Sequence, residues 1–169
     1  MTKPKRISSE ELSNFFRPNA AAIIVNDIGE VLAFERADKK GSWQCPQGGC
    51  EGGESYFQCV LREIEQETGI SRKFLKIRAV HPGLLAYEFP RGKRNIKKGR
   101  GQVQKWYVFR LLAGGLQSIH FNGHGKPEFQ AYKWTTMEKL ADKVVPFKRA
   151  VYEELYEHFA QHLSPTQWQ

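Results

Sequence analysis

Apolar positions along this chain follow two periods, and the switches between them mark out the elements. Residues 20–25 form an unbroken apolar run, Ala-Ala-Ala-Ile-Ile-Val, which predicts a strand. Asn26-Asp27-Ile28-Gly29 predicts a hairpin turn. The chain returns over 31–35, with Val31, Ala33 and Glu35 on one side and Leu32 and Phe34 on the other. Residues 38–42 predict a loop, and 43–47 a short extended piece in which Pro46 prevents pairing at its own position. The period then changes. In 55–70, Phe57, Val60, Leu61 and Ile64 fall at helical spacing and make one apolar stripe. Ser55 suits the N-cap of that helix, and Gly69 the left-handed position just past its end.

Strand-like runs resume at 75–80 and 84–89, after a turn at Ser71-Arg72-Lys73, and Pro90 stops the second. The clearest strand is 103–112, ended by Ala113-Gly114-Gly115. A short strand is expected at 118–121, a turn at 123–127 and a further strand at 129–135. Residues 137–140 predict a short helical turn. Residues 147–163 predict a second amphipathic helix, with Val151, Leu155 and Phe159 four apart. Residues 1–14 read as a flexible arm and 164–169 as a loose tail. With no internal repeat and no linker, residues 1–169 are expected to form one domain. Strands, helix, strands, helix is the order of an α/β fold, a mixed sheet with helices on its faces.

Composition narrows the setting. At 169 residues and 40% apolar content the chain can bury a core. No run approaches the ~18 apolar residues of a membrane span. Residues 1–11 lack the apolar segment of a secretory signal, so no membrane association and a cytoplasmic location are expected. Cys45, Cys50 and Cys59 fit no zinc spacing and read as reduced thiols filling space. His81, His120, His124, His158 and His162 show no catalytic spacing and read as surface or satisfied histidines. The net charge of +8 suits a polyanionic substrate. Its densest part is the stretch 91–100, glycine-containing and without an acid.

The candidate chemistry lies on the first helix. Glu63, Gln66 and Glu67 are three and four apart and point the same way. Clustered oxygens of this kind suit Mg2+ or Mn2+. Gly48, Gly49, Gly52 and Gly53 precede the helix and let backbone carbonyls approach a metal or phosphate. A solvated acidic helix face is the alternative for acids alone.

The spacing goes further. Gly48, five residues, Glu54, seven residues, then Arg62-Glu63-Ile64-Glu65-Gln66-Glu67-Thr68-Gly69-Ile70 closely resembles the signature box of the Nudix hydrolases. Every fixed position matches except Gln66, which stands where the family has a metal-binding glutamate. Phe16-Arg17-Pro18-Asn19, Trp43-Gln44-Cys45-Pro46-Gln47-Gly48-Gly49, Gln102 to Trp106, Pro127-Glu128-Phe129 and Val145 to Arg149 resemble one branch, the RNA pyrophosphohydrolases and dinucleoside polyphosphate hydrolases. Cys45 replaces a Phe or Met usual there, which reads as a packing change.

The resemblance implies an α/β/α sandwich and a Mg2+-dependent hydrolase, with Mn2+ able to substitute. It implies metal ligands at Glu63, Glu67, Glu128, the Gln66 position and the carbonyl of Gly48, with Glu128 alternatively a base. Arg62 is expected to orient the acids by a salt bridge. Arg17, Arg36 and Lys148 would contact phosphates or bases. Phe147 would stack the second nucleobase of the RNA, and Val145 and Gln102 would help form its pocket. The expected reaction takes the 5′-triphosphate end of RNA to a monophosphate that ribonucleases prefer. Gln66 predicts a slowed or inactivated site, and a deliberate substitution and a naturally slower enzyme both fit it. A dinucleoside polyphosphate or nucleoside triphosphate hydrolase is the competing enzyme. A Nudix domain that binds nucleotide or RNA without cleaving it is the competing non-enzyme. A homodimer stays open.

Overall fold

The structure is a computed structural model that describes residues 14–123, 125–160 and 163. The expected arm (save Asn14), the tail, His124 and His162 lie outside the described residues. The centre of the sheet is β1 (Phe16–Val25), parallel to β7 (Gly101–Leu111) along its whole length. Ala21, Ile23 and Val25 face one apolar cluster, and Ala20, Ala22 and Ile24 the other. A strand covered on both faces has no polar alternation, which is why 20–25 reads as continuous. β1 begins at Phe16, four residues before its apolar run, because the ladder to β7 continues through Arg17 and Pro18.

On its other side β1 pairs antiparallel with β4 (Gln47–Gly49) and, at Val25, with β2 (Val31–Arg36). β2 in turn pairs with β3 (Trp43–Gln44) and β8 (Phe129–Thr135). β5 (Leu75–Val80) and β6 (Leu85–Glu88) line opposite ends of β7. The alternation expected in β2 holds. Val31 and Ala33 enter one cluster, Leu32 and Phe34 the other.

The helix α1 (Tyr56–Thr68) covers one face with Val60, Leu61 and Ile64 buried. Ser55 and Gln58 form a reciprocal capping box, Gln58 N–H to Ser55 Oγ at 3.1 Å and Ser55 N–H to Gln58 Oε1 at 3.0 Å. Gly69 ends the helix at φ 79°. The opposite face carries α2 (Met137–Lys143) and α3 (Arg149–Phe159), which bury Met137, Leu140, Val151, Tyr152, Leu155 and Phe159. Helix, mixed sheet, helices is the α/β/α sandwich that the resemblance implied.

Three elements differ from expectation. Residues 118–121 form no strand. A 3₁₀ turn spans Leu116–Ser118, and His120 then donates its N–H to Thr68 O at the end of α1 (2.9 Å). Ile119 and Phe121 owe their apolar character to packing under α1, not to a ladder. α2 runs on past Leu140 to Lys143, capped by Thr136. α3 starts at Arg149 because Pro146 opens a separate 3₁₀ turn, Pro146–Lys148, which takes Phe147 and Lys148 off the helix.

Candidate active site

Two cavities adjoin at the candidate residues. The smaller, about 180 Å³, is lined by Glu63, Gln66 and Glu67 of α1 and by Phe121, Lys126 and Glu128 of the segment before β8. The larger, about 490 Å³, is walled by the aromatic rings of Tyr87, Phe89 and Phe147 and by Arg36, Lys93, Lys98 and Lys148. Glu128 lines both. An aromatic and cationic chamber therefore opens onto a carboxylate cleft.

The cleft is built around one arginine. Arg62 donates Nε–H and Nη2–H to the two oxygens of Glu54 (2.7 and 2.9 Å), and Nη1–H to Glu63 Oε1 (2.7 Å) and Gln66 Oε1 (3.2 Å). A further Nη2–H reaches Gly49 O (3.0 Å) and ties the helix to the end of β4. Arg62 thus holds the acids in place and does not itself face the cleft's interior. Its guanidinium holds the Glu54 carboxyl down to about 2. Gly48 is a steric requirement, because a Cβ there would lie 1.9 Å from Glu63 Cδ.

The donor set fits divalent cations. Glu67 accepts a single long bond from Gln47 N–H (3.3 Å). Burial, and then the charges of Glu63 and Glu128, push its carboxyl well above the usual range. Burial also raises Glu63, against the pull of Arg62. Three crowded carboxylates, of which Glu63 is paired with Arg62 and Glu67 is buried, are what hard cations with oxygen ligands relieve. The neutral amide of Gln66 faces the same cleft.

In the chamber, Phe147 sits 5.6 Å from the Tyr87 ring and 6.0 Å from Phe89 (centroids), with Lys93 Nζ 5.9 Å over its face. Gln102 accepts from Asn19 Nδ2 (2.9 Å), from Gln47 Nε2 (3.3 Å) and from the Tyr87 hydroxyl. Arg36 is held by Asp38 through two bonds of 2.9 and 2.8 Å. Lys148 is 6% exposed, and its Nζ donates to Gln44 Oε1 (3.1 Å).

So the structure places Arg36, Gln102, Phe147 and Lys148 on one chamber wall. It does not place Arg17 or Val145 there. Arg17 is exposed on β1, with its guanidinium beside Gly49. Val145 is 4% exposed and belongs to the core beneath the Pro146 turn, so it supports the wall without lining it. Sequence reasoning missed Gln44, Gln47, Tyr87 and Phe89 as wall residues. The first two lie in the Trp-Gln-x-Pro-Gln stretch already singled out, but only the fold aims them inward. The basic loop divides its charge. Arg94 and Arg100 pair with Glu88 (3.0 and 2.9 Å), while Lys93 and Lys98 line the chamber.

Burial, and then the repulsion of Arg36, bring the Lys148 ammonium down to about 8, against Glu67, Glu128 and Asp38. Charged Lys148 therefore costs stability at neutral pH, and that cost is relieved as pH rises from about 8 toward the ordinary 10.5. Anion binding has the opposite sign. Affinity for a non-hydrolysable polyphosphate nucleotide, measured without divalent ions, is expected to be flat up to about pH 8. Above that it falls by up to ~10-fold per pH unit while the single proton must be taken up on binding. Lys148→Met should bind more weakly and lose this step. An unchanged profile in Lys148→Met removes the lysine from phosphate binding.

This fold and this box define a Nudix domain, and residues 15–155 match the NUDIX domain family, to which the chain belongs. Among curated relatives, an RNA pyrophosphohydrolase of Teredinibacter turnerae is 38% identical over 152 residues, covering 88% of each chain. A Nudix hydrolase of Arabidopsis thaliana, number 26 and chloroplastic, is 34% identical over 164 residues, covering 92% of this chain and 74% of its own. Of solved structures, the dihydroneopterin triphosphate pyrophosphohydrolase of E. coli superposes with a TM-score of 0.65 at 21% identity, over 86% of this chain and 99% of that one. That likeness is one of fold. Among the described residues no helix is long and apolar enough to cross a membrane.

Proposed function

We propose that this protein is an RNA 5′ pyrophosphohydrolase, working with Mg2+ or Mn2+ in the cytoplasm on triphosphorylated transcripts. The observation that carries this reading is the chamber joined to the cleft through Glu128. The relatives named RNA pyrophosphohydrolase support it. A nucleobase against Phe147 would leave its phosphates beside Lys148 and Arg36, and a 5′ phosphate chain would extend toward Glu63, Glu67 and Glu128. Lys93 and Lys98 at the rim suit the phosphates of a continuing strand.

Glu63, Glu67, Glu128, the Gln66 amide and the Gly48 carbonyl would hold the divalent ions. The chemistry these ions supply is neutralisation of charge on the phosphoryl oxygens and acidification of a water for attack on phosphorus. Arg62 and Glu54 fix the carboxylate positions before substrate arrives. Lys148 and Arg36 bind and orient the phosphates. Stacking on Phe147 sets the distance from base to scissile anhydride.

The test compares phosphate release from triphosphorylated RNA, from a diadenosine polyphosphate and from a free nucleoside triphosphate, each in Mg2+ and in chelator. The expected order puts RNA first, with no release in chelator. Phe147→Ala should weaken RNA use by the ~1–3 kcal/mol of one stacked base, about 5- to 150-fold in kcat/KM. Preference for the dinucleotide would make the protein a dinucleoside polyphosphate hydrolase. Tight RNA binding without release from any substrate would favour the non-catalytic reading that Gln66 motivates.

A further inference from the structure

Away from the carboxylate cleft, α3 and the segment after β5 bring together donors of a different chemistry. Glu154 and His158 are four apart on α3, and His81 follows β5 directly. One ligand atom from each lies within 4.8 Å of the others. We propose that His81, Glu154 and His158 form a second cation site, for a transition metal, with zinc the best fit.

The spacing favours a cation over a plain ion pair. His81 Nε2 and Glu154 Oε1 are 3.4 Å apart. A charge-assisted hydrogen bond between such groups closes to ~2.7–2.9 Å. Two ligands bound to one zinc at ~2.0–2.2 Å in a tetrahedron stand ~3.3–3.5 Å apart. The two imidazole rings lie alongside, centroids 4.6 Å apart.

The most buried ligand is also the most fixed. His81 is 5% exposed, its N–H donates to Trp106 O (2.9 Å), and its carbonyl accepts from Lys105 Nζ (2.7 Å). Its Nδ1 is 3.1 Å from Gly83 N and 3.4 Å from Gly83 O. Without a cation, Nδ1 accepts the Gly83 N–H and the proton on Nε2 faces Glu154. With the proton on Nδ1 directed at Gly83 O, the Nε2 lone pair is released to a metal, the backing that histidine ligands commonly have. The Glu154 side chain is 47% exposed, so a fourth position is open to water.

Two imidazoles and one carboxylate select differently from the all-oxygen cleft, which suits Mg2+. The consequence is mechanical. A cation here would tie the segment leading into β6, which carries Tyr87, to α3, whose preceding turn carries Phe147 and Lys148. Tyr87 and Phe147 line the chamber in contact with each other, their ring centroids 5.6 Å apart, so the tie would hold two of its lining elements together.

The test is zinc titration of the chelator-stripped full-length protein, by calorimetry and by thermal melting, in excess Mg2+ to fill the oxygen sites. Co2+ serves as a second probe, read by its visible spectrum. Wild type and Glu67→Gln should each take one equivalent of zinc and gain Tm. His158→Ala should bind at least ~10-fold more weakly, since losing a direct ligand costs no less than losing its outer partner, and should gain no Tm. Glu154→Ala is the companion variant should His158→Ala fold poorly. Equal zinc affinity in wild type and both variants, or binding that disappears in Glu67→Gln instead, would overturn the proposal.

Discussion

Gln66→Glu is expected to raise kcat in Mg2+ by at least ~10-fold, since a direct metal ligand is worth no less than the ~10- to 100-fold of an outer partner. The residue faces the cleft that Glu63, Glu67 and Glu128 also line. Its amide oxygen now takes a hydrogen bond from Arg62 Nη1 at 3.2 Å. An amide offers one neutral oxygen where a carboxylate offers charge and two. Arg62 already stands in position to hold the restored acid, so the substitution needs no rearrangement. Without metal the new charge sits three residues from Glu63 on the same helix face, and such like-charged neighbours cost ~0.2–0.5 kcal/mol. Melting should therefore drop slightly in chelator and recover more in Mg2+ than the parent does. Gln66 does not line the aromatic chamber, so RNA affinity should hardly change. Single-turnover rates on triphosphorylated RNA, beside RNA binding in chelator, check both halves. Equal rates in the two proteins would remove position 66 from the chemistry.

Local chemistry made α1 and its surroundings legible in advance. Ser55, Gly69 and the stripe Val60-Leu61-Ile64 are signals that act within one turn of the helix. They do not depend on what packs opposite. The same holds for β2, where each face is told by its own alternation. The strand expected at 118–121 failed because its backbone partner lies far away in sequence. His120 bonds to Thr68, and nothing between residues 116 and 121 announces that. Val145 and Lys148 show the limit at the site. Both flank Phe147 in the chain, yet the 3₁₀ turn begun by Pro146 leaves one in the core and the other on the chamber wall. The His81–Glu154 pair spans 73 residues, so no spacing rule could find it.

Gly48→Ala is expected to lower activity by ~100-fold or more while leaving the fold intact, because a displacement of ~1 Å at reacting groups costs about that much. Gly48 is not among the glycines with positive φ, so alanine can take its backbone conformation. Its β4 pairing with Ala20 is retained. The nearest obstacle is Glu63. The new methyl would lie 1.9 Å from its Cδ and 2.2 and 2.4 Å from its oxygens. Those atoms are the end of a flexible side chain, so the helix can stay and the carboxylate must swing out. It then leaves Arg62 Nη1, now 2.7 Å away, and leaves the cleft with it. Gly52→Ala is the control, since a Cβ there meets nothing within 4 Å, and it should keep wild-type rates. Circular dichroism and melting separate folding from placement, and Mg2+-dependent turnover reports placement. A Gly48→Ala protein that melts normally and turns over at the parent rate would mean that Glu63 works from another position than the one Arg62 now holds.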